Sequence, residues 1–263
     1  MTTASTAAGV ACALAAGVLF EFGYVEQAGG TRESTDARLT SLVVRPRWLR
    51  GTGMVVAGLV LQVVALALAP IGVVQPVLVL GLAALVVLSE RRLGEPVTIA
   101  QRWAVAAAAL AVVLIVAGGP SEDAHGAVHS AAAFSIVGVV FAAGLLGGRL
   151  DPRGWVLAAG VGEAGAVLAA KLALTAFPDV LPTLGWAALA GVTALVALQA
   201  EMASLRTLRV ALVGPLVLVG QTALPVALAP LVVGERWSRP ALVVAGLLLA
   251  VAACVVLGSK RQP

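Results

Sequence analysis

The chain has 263 residues, of which 60% are hydrophobic and 11% charged, and its mean hydropathy is +1.04. A soluble domain carries roughly 25% charged residues, and a disordered chain has far fewer apolar residues, so this composition excludes both classes. The net charge of +4 comes with only 4% aromatic residues, which favours basic cytoplasmic loops over a nucleic-acid surface. We therefore expect the lipid bilayer, and no nucleic acid, as a partner.

Nine apolar segments predict an all-α membrane protein with about nine transmembrane helices, because a spanning helix takes about 20 residues. The loops between them leave no room for a soluble domain, so residues 1–263 form a single transmembrane domain. The first segment has no Lys or Arg before its apolar run, and we interpret it as a retained helix rather than a signal peptide. The segments are about 5–25, 48–69, 71–89, 100–118, 130–147, 154–174, 183–204, 210–233 and 240–258.

The connections differ in length. The turn at Ala69-Pro70-Ile71 is so short that helices two and three should form a tight hairpin, whereas residues 27–47 form the longest loop. A solvated loop is expected at 119–129, where both histidines lie. Solvated loop or helix-end positions are also expected for three acidic residues, Glu26, Glu90 and Glu95.

The basic residues are distributed unequally between the two sides of this topology. Fourteen of the 17 Lys and Arg residues fall on one side, and Arg236 and Arg239 fall on the other. The positive-inside rule then predicts that the N-terminus is outside and the C-terminus cytoplasmic, in the inner (plasma) membrane. Residues 30–47 would face the cytoplasm.

An internal repeat relates two parts of the chain. Residues 74–81, VQPVLVLG, resemble residues 213–220, VGPLVLVG, and Trp48 and Gln62 upstream have counterparts in Trp186 and Gln199. Downstream, residues 94–95 and 234–235 are both Gly-Glu. Helices two to four therefore match helices seven to nine, an offset of five helices. Because successive spans cross the membrane in alternating directions, an odd offset means that the two copies have opposite orientations. The repeat halves would be about 1–118 and 130–258, an arrangement typical of transporters.

These residues carry a family resemblance. The run from Trp48 to Gly51, the Ala69-Pro70 turn, Pro76 and the helix ending at Glu90 resemble the drug/metabolite transporter superfamily, EamA-like, and most closely its NIPA-like branch. The resemblance implies nine or so helices and, because NIPA-like proteins are linked to magnesium, magnesium ion transport. Residues 26–29, Glu-Gln-Ala-Gly, depart from the branch, which tends to carry lysines there.

Four ionisable residues fall inside the predicted spans, namely Glu21, Glu163, Lys171 and Glu201. Each costs at least ~2.5–3.5 kcal/mol in the bilayer, so each is a candidate for solute or ion binding. We interpret Glu163 as the cation or proton site and Lys171 as its outer counter-charge. The alternatives are a structural hydrogen bond for Glu163, snorkelling for Lys171 and an interfacial position for Glu201.

Polar and proline residues complete the candidate site. Gln62 and Gln199 either bind solute or join helices through hydrogen bonds. Pro76 and Pro215 occupy equivalent repeat positions and free a backbone carbonyl each, which either marks the site or only kinks the helices. The sequence identifies no metal ligand set and calls for no cofactor.

The expected function is therefore that of a secondary carrier, which moves a small polar solute or cation by alternating access. No catalytic motif is present, which disfavours an enzyme. The alternatives are specific magnesium transport, and then a lipid flippase or a non-transporting accessory protein. A homodimer is possible.

Overall fold

The computed structural model describes residues 3–33, 39–94, 98–119, 138, 142, 152–208 and 210–258. Every regular element in these ranges is an α-helix. The predicted fifth helix, the loop with both histidines and Glu95 lie outside the described residues. The helices are α1 (Thr3–Arg32), α2 (Leu39–Leu42), α3 (Pro46–Leu68), α4 (Ile71–Val79), α5 (Leu82–Leu93), α6 (Ile99–Ala117), α7 (Pro152–Ala176), α8 (Val180–Thr207), α9 (Val210–Val232) and α10 (Pro240–Gly258).

Five helices are long and apolar enough to cross a membrane. These spans are Ala4–Arg32, Pro46–Leu68, Ile71–Leu93, Gly154–Ala176 and Val180–Arg206, and α6, α9 and α10 contain shorter apolar stretches. An all-helical, multi-pass membrane protein is thus the structural class, as the sequence predicts.

One predicted helix boundary is wrong, and one predicted helix contains an interruption. α1 continues to Arg32, and Gln27 and Thr31 are buried in it, so the predicted loop 27–47 begins later. The predicted third helix is interrupted at Leu80 and Gly81, which separate α4 from α5. At the interruption the amides of Leu80 and Gly81 bond three residues back, to Val77 and Leu78, and Gly17 of α1 packs against the same backbone.

The predicted short turn between helices two and three is confirmed, but the tight hairpin is not, because α3 packs along α1 and contacts α4 at only a few positions. α3 ends at Leu68, Ala69 is extended, Pro70 precedes the first residue of α4, and no longer connection intervenes. We call the end of the molecule that holds this turn the junction end. The opposite end, where Arg47 and Arg92 lie, is called the arginine end.

Helix packing follows close backbone approaches at small residues. α1 lies along α3, with Gly23 against Gly51, and also contacts α4 and α5. α7 lies along α8, with Gly162 against Ala197, and also contacts α9. α6 and α10 pair along their lengths. Small residues allow these approaches. They are common at helix contacts in membranes, because the hydrophobic effect does not drive helix association in lipid and close van der Waals packing must do so.

Two separate apolar clusters form the core. One lies toward the arginine end and includes Tyr24, Val79 and Met202. The other lies toward the junction end and includes Ala16, Leu66 and Leu168. Glu21 and Glu163 lie between stretches of α1 and α7 that belong to different clusters, whereas Glu201 is flanked by residues of the first cluster.

Candidate functional site

Three carboxylates from three helices share one region of the interior. Glu21 is on α1, Glu163 on α7 and Glu201 on α8, and the charge of Glu201 interacts with those of both other residues. Glu21 is buried, and the other two are partly buried. The sequence predicts each of them as a candidate separately, and the structure brings all three together.

The acidic region lies near the middle of the bundle. Gly9 of α1 lies against Ala69 at the junction end, and Gly30 lies against Trp48 at the arginine end. At 1.5 Å per residue, Glu21 is therefore about 18 Å from the first level and about 14 Å from the second. This depth places Glu21 well inside a hydrocarbon core of about 30 Å. Glu201 is nearer the arginine end, because the adjoining Met202 contacts Trp48.

Glu21 packs on the interruption between α4 and α5. A Cβ atom added to Gly81 would lie 3.1 Å from Cγ of Glu21 and 3.0 Å from the carbonyl oxygen of Gly17. Any larger residue at position 81 would therefore force Glu21 or the backbone of α1 to shift. Interrupted helices at mid-membrane depth are where transporters commonly bind solutes and ions.

Two glycine crossings of the same kind flank the acidic region. Gly17 of α1 meets the carbonyl of Leu78, and Gly160 of α7 meets the carbonyl of Val217. One helical turn beyond each glycine comes a glutamate, Glu21 in the first case and Glu163 in the second. The two acidic residues thus occupy comparable positions on two separate helix pairs.

The acidic region has no preformed metal-ligand geometry. No group of three His, Cys, Asp or Glu residues among those described could hold a metal ion directly. Three carboxylates in the interior, one buried and two partly buried, are nevertheless costly in a low-dielectric environment, and bound protons or a cation would offset that cost. The arrangement favours a proton or a cation that keeps its own water or organic shell.

Lys171 does not pair with Glu163. Its Nζ donates hydrogen bonds to the carbonyl oxygens of Leu66, at 2.7 Å, and Ala69, at 3.2 Å. Its charge interacts with Glu235. Lys171 therefore binds the end of α3 instead of acting as the outer counter-charge of Glu163, and it does not snorkel away from the protein.

Glu235 is a functional candidate that the sequence indicates only as half of the Gly-Glu repeat. It is buried, and its carboxylate accepts hydrogen bonds from the amides of Ile71, at 2.7 Å, and Gly72, at 3.1 Å. The preceding Gly234 and its repeat partner Gly94 have φ angles of 71° and 67°. These backbone angles favour glycine; Gly94 directly follows α5, and Gly234 comes two residues after the end of α9.

Glu26 is not solvated, contrary to the expectation from sequence. Its side chain is buried and forms ion pairs with Arg92, at 2.7 Å, and Arg47, at 3.4 Å. Arg47 also pairs with Glu33 at 2.9 Å. The sequence missed this network because the partners are distant along the chain, whereas Glu90 is exposed as expected.

The predicted glutamines and prolines differ in their surroundings. Gln62 is buried, and its amide nitrogen has no hydrogen-bond partner among the described residues. Gln75, which is not among the residues predicted from sequence, is fully buried, and neither of its amide atoms has a partner in the same part of the chain. Gln199 is exposed on α8, away from the acidic residues. Pro76 is buried inside α4, and Pro215 lies in α9.

Comparison with protein-family models, curated proteins and solved structures finds no match for this chain.

Proposed function

We propose that this chain is a secondary carrier that moves a small polar solute or cation across the membrane by alternating access. The observation that carries the proposal is the group of three acidic residues inside the membrane spans, in which Glu201 interacts electrostatically with both Glu21 and Glu163 and Glu21 lies beside the interrupted helix. Each acidic residue in a span weakens membrane insertion, so three that interact favour a binding role over a structural one. A cation or protons that bind there and leave again account for them.

The arrangement of helices supports two inverted halves as the moving parts. α1 packs on α3 and on the interrupted α4–α5 pair, and α7 packs on α8 and α9. The Gly17 and Gly160 crossings and the two left-handed glycines, Gly94 and Gly234, fit the same correspondence. In this proposal the acidic residues lie at the interface of the halves, where rocking exposes them to each side in turn.

The resemblance to the drug/metabolite transporter superfamily agrees with this proposal. The distribution of basic residues predicts the orientation of the chain in the membrane. The arginine end would face the cytoplasm and the junction end the outside. Magnesium is a second candidate solute, because carboxylate oxygens are the ligands it prefers and it commonly retains several waters. A magnesium ion that retains its waters can interact with acidic residues that attract it electrostatically but do not all coordinate it directly.

The experiment is a flux assay in proteoliposomes that contain the purified chain. Uptake and efflux are measured for magnesium and for a panel of amines and metabolites, with and without a proton gradient. We expect Glu163→Gln and Glu21→Gln to abolish flux while expression and the size-exclusion profile stay unchanged. Glu90→Gln is the matched control, since Glu90 is exposed, and it should transport normally.

Two results would contradict the proposal. Wild-type flux by folded Glu163→Gln and Glu21→Gln would show that the acidic residues are structural. No flux of any solute by the unaltered chain, under either gradient, would argue against a carrier.

A further inference from the structure

The turn between α3 and α4 leaves backbone groups without partners at the junction end. The carbonyl of Leu66 would normally accept from residue 70, but Pro70 has no N–H. The amide of Val73 bonds to Pro70 instead of to Ala69. At the start of α4, the amides of Ile71 and Gly72 have no helical acceptor.

Both sets of unpartnered groups are satisfied by side chains from the other half of the chain. Lys171 of α7 donates to the carbonyls of Leu66 and Ala69. Glu235, in the turn between α9 and α10, accepts from the amides of Ile71 and Gly72. A cation thus binds the negative end of one helix and an anion the positive end of the next, so both charges match the helix dipoles.

The turn that carries Glu235 is itself fixed. The amides of Ser238 and Arg239 donate to the carbonyls of Gly119 and Gly118, at 2.9 and 3.2 Å. This attachment holds the turn to the end of α6. Because α6 belongs to the first half, these two hydrogen bonds are a further contact between the halves at the junction end, and they hold Glu235 beside α4.

The two halves meet differently at the arginine end. There Sδ of Met202 on α8 accepts hydrogen bonds from Nε1 of Trp48, at 3.4 Å, and Oγ1 of Thr31, at 3.6 Å. Sulfur is a weak acceptor, whereas hydrogen bonds to charged groups are among the strongest in proteins. The hydrogen bonds from Lys171 and to Glu235 at the junction end are therefore stronger than these two bonds to sulfur.

We propose that Lys171 and Glu235 form the outer gate of the transport path, closing it by binding the α3–α4 turn from the opposite half. This inference rests on the proposed function, because a gate requires a path. Opening would release both side chains from the turn and expose the interior below it. Gln62 and Gln75 lie about one helical turn below the gate, on α3 and α4.

The test measures access to this interior and needs no substrate. A reporter, Gln75→Cys, is placed in a chain that carries Cys12→Ala and Cys254→Ala, and reacts with an impermeant thiol reagent added outside intact cells. We expect slow labelling in the gated chain. Glu235→Gln or Lys171→Met should accelerate labelling about tenfold, because each removes a charge-assisted pair of hydrogen bonds.

Two controls separate gating from damage. Arg236→Gln removes an exposed charge next to Glu235 and should leave labelling slow. Lys171→Arg keeps a charged donor and should also label slowly. If Glu235→Gln does not fold, Lys171→Met carries the same expectation, and Gln62→Cys serves as a second reporter.

The proposal would be overturned if folded Glu235→Gln and Lys171→Met variants labelled at an unchanged rate. Rapid labelling of the reporter chain that retains Lys171 and Glu235 would also overturn it. If the chain shows no flux but Glu235→Gln still accelerates labelling of the reporter, the carrier function is contradicted, whereas the opening controlled by Lys171 and Glu235 is not. The two failures are therefore distinguishable.

Discussion

Single side chains in this molecule depend on partners far away along the chain, and Glu26 is the clearest case. In the sequence it follows an apolar segment and precedes polar residues, so a solvated position is the natural expectation. The fold extends α1 by two turns and buries Glu26 between Arg47 and Arg92. Lys171 shows the same limit, because its acceptors on α3 are about a hundred residues away.

The first prediction concerns stability at the arginine end. Glu26→Gln removes the only carboxylate that joins Arg92 and Arg47 among the described contacts. Both arginines are partly exposed, so we expect a loss of about 1–2 kcal/mol rather than the larger cost of a fully buried pair. Thermal unfolding in detergent measures the loss.

Glu33→Gln is the matched control for this substitution. It also removes a carboxylate from Arg47, but Glu33 is exposed, so we expect at most about 0.5 kcal/mol. Equal unfolding temperatures for the two variants would mean that the burial of Glu26 contributes nothing to stability.

At the scale of helices, apolar length and turn residues predicted most of the architecture. Segments bounded by Pro, Gly and charge became helices at nearly the expected residues, as for α6 and α10. The interruption between α4 and α5 was not predicted, because Leu80 and Gly81 continue an apolar run and their backbone geometry depends on α1 packed against them. Glu21 and Glu163 were recognised because charge is costly in lipid, whereas their proximity depends on helix packing that spacing alone does not specify.

The approach of α1 to the interruption gives a second prediction. Gly81→Ala adds a Cβ atom 3.0 Å from the carbonyl of Gly17 and 3.1 Å from Cγ of Glu21. The backbone of Gly81 is ordinary right-handed helix, so steric overlap alone produces the effect. We expect α1 to shift outward at a cost of about 1–3 kcal/mol, again measured by thermal unfolding.

Gly53→Ala is the control for that prediction. Gly53 lies within α3, and an added Cβ meets no atom within 4 Å. The same substitution should there leave stability unchanged or raise it by about 0.5–1 kcal/mol. A Gly81→Ala variant as stable as Gly53→Ala would show that the acidic region tolerates a wider helix separation.

At the scale of the whole molecule, the two ends differ in charge, and this difference predicts an orientation in the membrane. Exposed arginines such as Arg45, Arg50 and Arg91 lie at the arginine end. At the junction end, the α7–α8 connection carries Asp179 and no basic residue, and Arg236 and Arg239 are the exceptions in the neighbouring turn. Basic residues near the ends of spans remain in the cytoplasm during insertion, so the arginine end should be cytoplasmic.

The orientation is tested with single cysteines in a chain without Cys12 and Cys254. Val44→Cys reports on the arginine end and Asp179→Cys on the junction end, and both native side chains are exposed. In intact cells an impermeant thiol reagent should label only Asp179→Cys, as well as cysteines in the predicted outer loop 119–129. After permeabilisation both positions should react, which shows that Val44→Cys is accessible once the membrane is open. Labelling of Val44→Cys in intact cells would reverse the orientation, and the gate formed by Lys171 and Glu235 would then close the cytoplasmic side.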